Sequence, residues 1–282
     1  DALPISLREK ANEHYNNQQF EQAKSLYEQA LDLAPSDSRI VLQQDIIDCL
    51  TSMGNHREAR LLLKQLMWEA HQSGIGHIEA EAMFSLGEQL YDEGDKGTAY
   101  DYMSRAVSLM SGSNAADAPN CLCYYHVKLT RKYCDDGNYS QAIQESKLAE
   151  TAYHQMNDSI HGLRLLRTAL SLRAYLYLLT DSVLEANAIY RQWRQLPPSS
   201  IVAMQSICLY LEASGRYQEA LDIYSQYEEY VLEKKGRYSW PERQVKASTA
   251  GIYSKKGMPD SAYILMSEAF EISDTLHARQ AE

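Results

Sequence analysis

Cys121, Cys123 and His126 are the nearest approach to a metal-binding group in this sequence. Structural zinc sites space their cysteines by two or more residues and draw a second ligand pair from elsewhere in the chain. One intervening residue, with Cys134 about three helical turns further on, does not meet that geometry. The cysteines read instead as small apolar packing groups, the common use of a free thiol, and no metal is expected. His77 and Glu79 lack the downstream Pro-Cys-x-x-Cys that a zinc deaminase needs, so His77 reads as a solvent-facing residue at a helix start. Phosphate-binding glycine loops, Gly-x-Ser-x-Gly elbows and His-Glu-x-x-His pairs are all missing from the sequence. The expectation is a non-enzymatic segment with no cofactor.

Tyrosine is the conspicuous excess, 21 residues against three Phe and three Trp. Tyr27, Tyr133, Tyr177, Tyr190, Tyr224 and Tyr253 occupy interior phases of the repeat described below and are expected inside, where a ring buries much apolar area. The 282 residues carry 27 Lys plus Arg against 38 Asp plus Glu, a formal charge of -11. Nucleic acid selects basic surfaces, so direct DNA or RNA binding is not expected. The best apolar run, 201–211, is interrupted by Gln205 and Ser206 and is too short to span a bilayer. Five cysteines, an odd number, do not form a disulfide framework.

The elements that carry these residues repeat. Alanines anchor one phase at Ala23, Ala59, Ala99, Ala142, Ala186, Ala220 and Ala262, spaced by 36, 40, 43, 44, 34 and 42 residues. Gly54, Gly94, Gly137, Gly215 and Gly257 each stand five residues before an anchor, with Gln18 and Asp181 in the other two units. A glycine there is expected to adopt the left-handed conformation that ends one helix before a tight turn. Twelve residues before each anchor lie mostly small residues such as Ala11, Gly87 and Ala174; nine before lie mostly large ones such as Leu50 and Tyr133. Small residues let antiparallel helices approach closely while large ones fill the space between pairs. Each unit is therefore two helices and a turn, with Pro119, Pro198 and Pro241 near the starts of first helices, where a missing N–H costs little.

AlaAsnGluHisTyr (11–15), PheGluGlnAla (20–23), Tyr27, Ala30 and Pro35 resemble a tetratricopeptide repeat. GlyAsnTyrSerGlnAla (137–142) and GlyArgTyrGlnGluAla (215–220) repeat its turn. The resemblance covers the whole chain as one all-α domain, with units near 3–36, 37–74, 77–112, 118–157, 158–196, 198–236 and 240–281. It departs from the family at Ser146, which replaces an aromatic, and at Asp181 in the fifth turn. It implies a right-handed α-solenoid of about seven antiparallel helix pairs, the first helix of each lining a concave groove.

Registration of the repeats places Arg8, Asn12 and Tyr15 of the first unit on that groove, with Gln44 and Asp48 of the second. Glu81, Phe84, Glu88 and Tyr91 follow in the third, Tyr124 and Arg131 in the fourth and Tyr175 in the fifth. Aromatic and polar groups mixed on one wall suit a peptide or protein ligand. Chaperone-binding members of the family clamp a peptide carboxylate with paired cations and asparagines. Arg8 and Asn12 match the first element, but Asp45, Glu81 and Ser85 stand where the rest would be. Carboxylates there repel a carboxylate.

The sequence starts at Asp1 without methionine, and its last helix, from about Pro259 to Leu276 or Ala281, has no capping helix after it; Glu282 reads as an internal boundary. SerAspThrLeu (273–276) followed by a polar helix is similar to the stalk junction of membrane-anchored bacterial regulators. In those, a periplasmic tetratricopeptide ectodomain leads to a LuxR-type helix-turn-helix or a histidine kinase. That resemblance implies a sensory ectodomain reaching the membrane only through a flanking segment. The alternative is a cytoplasmic adaptor or peptide-regulated scaffold, which the five cysteines favour.

Overall fold

The computed structural model describes residues 2–156, 160–197 and 205–281. Among them are fourteen α-helices and one 3-10 turn, with no strand. Two compact units divide the chain, Asp1–Leu122 and Cys123–Glu282.

The first unit opens with α1 (Ala2–Asn16), α2 (Phe20–Leu33), α3 (Ser36–Ser52), α4 (His56–Gln72), α5 (Gly76–Asp92) and α6 (Lys96–Ser111). Each helix packs on the next in sequence through α6, so the helices form antiparallel pairs. Apolar residues at helical spacing decide which face turns inward: α2 buries Ala23, Tyr27 and Ala30, and α4 buries Ala59, Leu63, Leu66 and Ala70. These meet Leu42, Ile46, Ile47 and Leu50 of α3 in one apolar cluster.

The division falls within α7 (Ala118–Asp135). The second unit continues through α8 (Tyr139–Tyr153), α9 (Ile160–Leu179) and α10 (Val183–Gln195). A 3-10 turn at Gln205–Ile207 leads into the short α11 (Cys208–Ala213), then α12 (Tyr217–Lys235), α13 (Trp240–Lys255) and α14 (Pro259–Ala281). Pro119 and Pro241 both fall in a first turn; Pro198 lies outside the described residues. Ser239 caps α13 by accepting from Glu242 N at 3.4 Å, while Glu242 Oε2 accepts from Tyr238 N at 2.6 Å.

Five glycines expected in the left-handed region are there, with φ between 73° and 93°, and so are their two substitutes, Gln18 at 61° and Asp181 at 55°. Every one of these turns closes the same way. The N–H two residues past the cap reaches back to the carbonyl nine residues before the anchor, as in Asn55 N to Leu50 O at 2.8 Å and Ser182 N to Tyr177 O at 2.8 Å. The first six anchor alanines are fully buried and the seventh, Ala262, half-buried. Of the six tyrosines expected inside, Tyr27, Tyr190 and Tyr224 are buried and the others half-buried.

Candidate functional site

In the first unit, side chains of α1 are hydrogen-bonded to α3, and Asp48 of α3 acts on Glu81 of α5 through charge. Arg8 Nε donates to Asp45 Oδ2 at 2.7 Å and Arg8 also reaches Oδ1 at 3.4 Å, so this guanidinium is already paired with a carboxylate. Its companion Asn12 is also engaged, accepting from Tyr27 Oη at 2.6 Å. Both residues that match the first clamp element are therefore engaged within the unit. Tyr15 Oη lies 3.2 Å from Ser52 Oγ, a second link from α1 to α3, and its ring meets Phe20 edge-on at 5.3 Å.

Gln44 donates to Asp48 Oδ1 at 3.2 Å. Asp48 is exposed, yet protein atoms crowd its carboxyl; this desolvation, reinforced by Asp45, pushes its pKa up to about 6 despite the Gln44 bond. Glu81, half-buried on α5, is also pushed up, first by burial, then by the charge of Asp117, with a smaller push from Asp48. Phe84, expected on the wall, is buried with 1% of its surface exposed. The turn of α5 that carries it points into the core at that residue, while Glu88 and Tyr91 further along are half-buried. Tyr91 packs edge-on against Tyr100 at 5.9 Å, under the ammonium of Lys96 at 5.2 Å.

The second unit holds the remaining wall residues. Tyr124 is half-buried beneath Lys128, whose ammonium lies 5.1 Å from its ring. Arg131 is exposed on the same helix, and Tyr175 on α9 is half-buried, its hydroxyl pushed up by desolvation and then by Cys134.

Sequence reasoning missed one juxtaposition. Glu81, Asp117 and Cys121 bring their ligand atoms within 4.8 Å of one another, with Cys121 Sγ 3.7 Å from Glu81 Oε1. These are residues that could approach a divalent cation, but the thiol is pushed up to about 12, by burial first and then by Glu81 and Asp117, and stays protonated. No local motif announces the group, because Glu81 and Cys121 lie a full repeat apart. The trio considered from sequence does not assemble: Cys123 is buried among apolar groups, and His126 Nδ1 pairs with Glu145 Oε2 at 2.7 Å. His77 is half-buried in the first turn of α5, on a surface depression of about 620 Å³, and Glu79 turns away from it to His71 Nδ1 at 3.0 Å. All five cysteines are free. The three fully buried thiols are raised by desolvation, Cys49 to about 11 and Cys123 and Cys208 to about 12, which makes them poor nucleophiles.

A model of the tetratricopeptide repeat family matches residues 15–74. A comparison with curated protein sequences found no match. Among solved structures, the apo form of the quorum sensor NprR from B. thuringiensis aligns with a TM-score of 0.70 at 12% identity, covering 96% of this chain and 76% of that one. The Rap conjugation gene regulator of the plasmid pLS20, in complex with the Phr* peptide, aligns at 0.63 and 13% identity over 95% and 73% of the two chains. A Rap protein complexed with competence and sporulation factor gives 0.63 and 13% over 97% and 75%. At these identities the likeness is one of fold. Residues 15–74 thus match the tetratricopeptide repeat model, and the likeness to these solved structures is one of all-α fold built from antiparallel helix pairs.

Proposed function

We propose that this chain is a non-catalytic peptide-binding module, acting as a peptide-regulated scaffold in the cytoplasm. The observation that carries the reading is the polar group that α1 and α3 form, with Glu81 of α5 feeling the charge of Asp48: Arg8 is paired with Asp45, and the carboxyls of Asp48 and Glu81 are raised by desolvation. Carboxyls in that condition gain from an incoming cation, so the ligand is an extended peptide with a Lys or Arg side chain in reach of Asp48 and Glu81. Tyr15 and Tyr91 are further proposed contacts in the first unit, and Tyr124, Arg131 and Tyr175 are proposed contacts of the second unit taken by itself. Two structures of similar fold contain a bound peptide or factor, the Rap regulator with Phr* and the Rap protein with competence and sporulation factor, which supports peptide binding here.

The scaffold is preferred to the membrane-anchored sensor. Five free thiols suit a reducing compartment. Regulation then requires a peptide that binds one arrangement of the helices more tightly than another, since equal affinity shifts nothing.

A fluorescent pentapeptide library measured by anisotropy tests the reading. Basic members should be retained over acidic ones, and Asp48→Asn with Glu81→Gln should weaken the best of them by about tenfold or more. Replacing Tyr124 and Arg131 together tests the second unit's share. Equal retention of acidic and basic peptides, or no effect of the Asp48/Glu81 pair, overturns it.

A further inference from the structure

Two pairs of polar side chains, each spaced by one helical turn, meet within the first unit. His77 and Glu81 stand four residues apart on α5, and Asp117 and Cys121 four apart across the start of α7, where Cys121 N donates to Asp117 O at 3.1 Å. Residues at that spacing share one side of a helix. The pairs touch: Cys121 Sγ lies 3.7 Å from Glu81 Oε1, and the ligand atoms of Glu81, Asp117 and Cys121 all fall within 4.8 Å of one another. Asp117 is exposed, the other three residues are half-buried. His77 lines the depression of about 620 Å³ together with Ser113, Asn114 and Ala115, which lead into Asp117. The group is therefore open to solvent.

Ordinary structural duties do not account for it. Asp117 stands at the capping position of α7, since its carbonyl takes the first helical bond. At the same position Asp95, Asn138 and Ser239 cap α6, α8 and α13 with their side chains. Among the described residues the Asp117 carboxylate accepts no such bond and lies instead with Glu81 and Cys121. Nor does a basic side chain offset the group. The main charges acting on Glu81 are those of Asp117, His77 and Asp48, and those acting on Cys121 are Glu81 and Asp117. Two carboxylates and a thiol are thus drawn together with no Lys or Arg among the main charges around them.

We propose that His77, Glu81, Asp117 and Cys121 form a site for one thiophilic divalent cation of the zinc class, which ties α5 to the start of α7. The donor set selects the ion. Calcium and magnesium want a shell of oxygens, whereas a mixture of imidazole nitrogen, thiolate sulfur and carboxylate oxygen suits tetrahedral zinc. Zinc holds such ligands at about 2.0–2.3 Å, and so about 3.3–3.8 Å from one another. Glu81 and Cys121 already stand at that separation, and rotation of the exposed Asp117 side chain closes the rest. In the free chain Cys121 keeps its proton. On binding, a sulfur–metal bond replaces the S–H bond and the proton leaves to solvent, because a divalent ion deprotonates a coordinating thiol outright.

Glu81 also belongs to the proposed peptide contacts, so the test uses the other three residues and no peptide. Cobalt(II), a spectroscopic stand-in for zinc, is titrated into the full 282-residue chain. The expected result is one equivalent bound, with the visible absorption of a tetrahedral ion and a near-ultraviolet thiolate-to-cobalt charge-transfer band, both displaced by zinc. Cys121→Ser should remove that band and weaken zinc binding by about tenfold or more; Asp117→Asn and His77→Ala should weaken binding and keep the band. Asp48→Asn, which the peptide reading needs, and Cys134→Ser, a half-buried thiol outside the group, should change nothing. Circular dichroism checks each fold, and Asp117, being exposed, gives a variant that keeps it. No charge-transfer band in the wild type, a band that survives Cys121→Ser, or zinc uptake indifferent to Asp117→Asn or His77→Ala overturns the site and leaves peptide binding untouched.

Discussion

The two units fill one repeat plan with different matter. Among the described residues, the buried polar and charged side chains all lie in the Cys123–Glu282 unit: His126, Thr130, Lys132, Glu145, Ser146, Arg167, Ser171, Arg173 and Glu242. The Asp1–Leu122 unit packs alanines, aliphatics and methionines with Tyr27, Phe84 and Cys49, a core held chiefly by area, in which Tyr27 donates to Asn12 at 2.6 Å. In the second unit direction matters as well. Arg173 donates to Glu150 at 2.5 Å and Gln192 donates to the other oxygen at 2.6 Å. Arg167 donates to the carbonyls of Leu196 and Pro197 at 3.1 and 2.7 Å and stacks on Trp193 at 4.6 Å. The lesson concerns tolerance: an apolar core fails by volume, whereas a core threaded with pairs fails when one partner is removed.

The largest expected effect follows from that difference. Arg173→Leu should destabilise the second unit by about 3 kcal/mol, because it strands a carboxylate that the fold holds partly out of water. Adding Glu150→Leu should restore most of the loss, since an apolar pair of similar volume replaces a buried ion pair at little cost. The matching experiment in the first unit, Arg8→Leu, removes a half-exposed partner of Asp45 and should cost under about 1 kcal/mol. Urea denaturation read by circular dichroism measures all three. A single-mutant loss equal to that of Arg8→Leu would erase the distinction between the two cores.

A second pair of variants probes the small phase twelve residues before the anchor. In the first unit that place is Gly87, where an added Cβ would lie 2.7 Å from Met103 Cγ and 3.0 Å from Ala99 O. Met103 is fully buried and meets the new Cβ near the root of its side chain, and the carbonyl is fixed, so Gly87→Ala should cost about 1–3 kcal/mol by overpacking. In the second unit the same place is Thr130, buried, donating to His126 O at 2.7 Å. Thr130→Ala removes a bond instead of adding a clash and should cost about 1 kcal/mol. The denaturation midpoints rank the two.

How much of this was legible in the sequence depends on how local each signal is. The seven turns were legible because left-handed backbone selects few residue types, and the phase that predicted glycine also located Gln18 and Asp181. The buried alanines were legible because close helix approach admits little else. Phe84 was misplaced because registration resolves a face only to within one residue, and one residue turns a helix by about 100 degrees. The Arg8–Asp45 pair and the Glu81–Asp117–Cys121 group were not read from the sequence as contacts, since each joins elements one repeat apart and charged residues scatter over helix surfaces for many reasons. The dry core and the charge-threaded core share one spacing, so periodicity alone could not separate them.

The two non-glycine turns sharpen the comparison at smaller scale. Gln18 and Asp181 hold φ of 61° and 55°, a conformation that costs an ordinary residue about 1 kcal/mol or more and an aspartate less. Gln18→Gly should therefore stabilise the first unit by about 1 kcal/mol, and Asp181→Gly should help the second by less. Thermal melting resolves the order, and equal gains would mean that the side chains, not the backbone, set the strain.

The smallest effect is one of opposite signs with pH. Asp48 titrates near 6 in the folded chain against an ordinary 3.8, so the folded state binds its proton more tightly than the unfolded one. Its contribution is present at low pH and is lost as pH rises from 3.8 through about 6. Because the side chain is exposed, solvent screening reduces this to a few tenths of a kcal/mol. Glu150 in the second unit runs the other way: burial alone would raise its pKa, but Arg173 and Gln192 hold it below the ordinary 4.5. Its contribution is present above 4.5 and is lost as pH falls through the lowered value. Asp48→Asn should thus flatten the decline in urea midpoint between about pH 4 and 6, and Glu150→Gln should flatten the decline at more acid pH. A single shared slope in both variants would mean that the charge environments of the two units are the same after all.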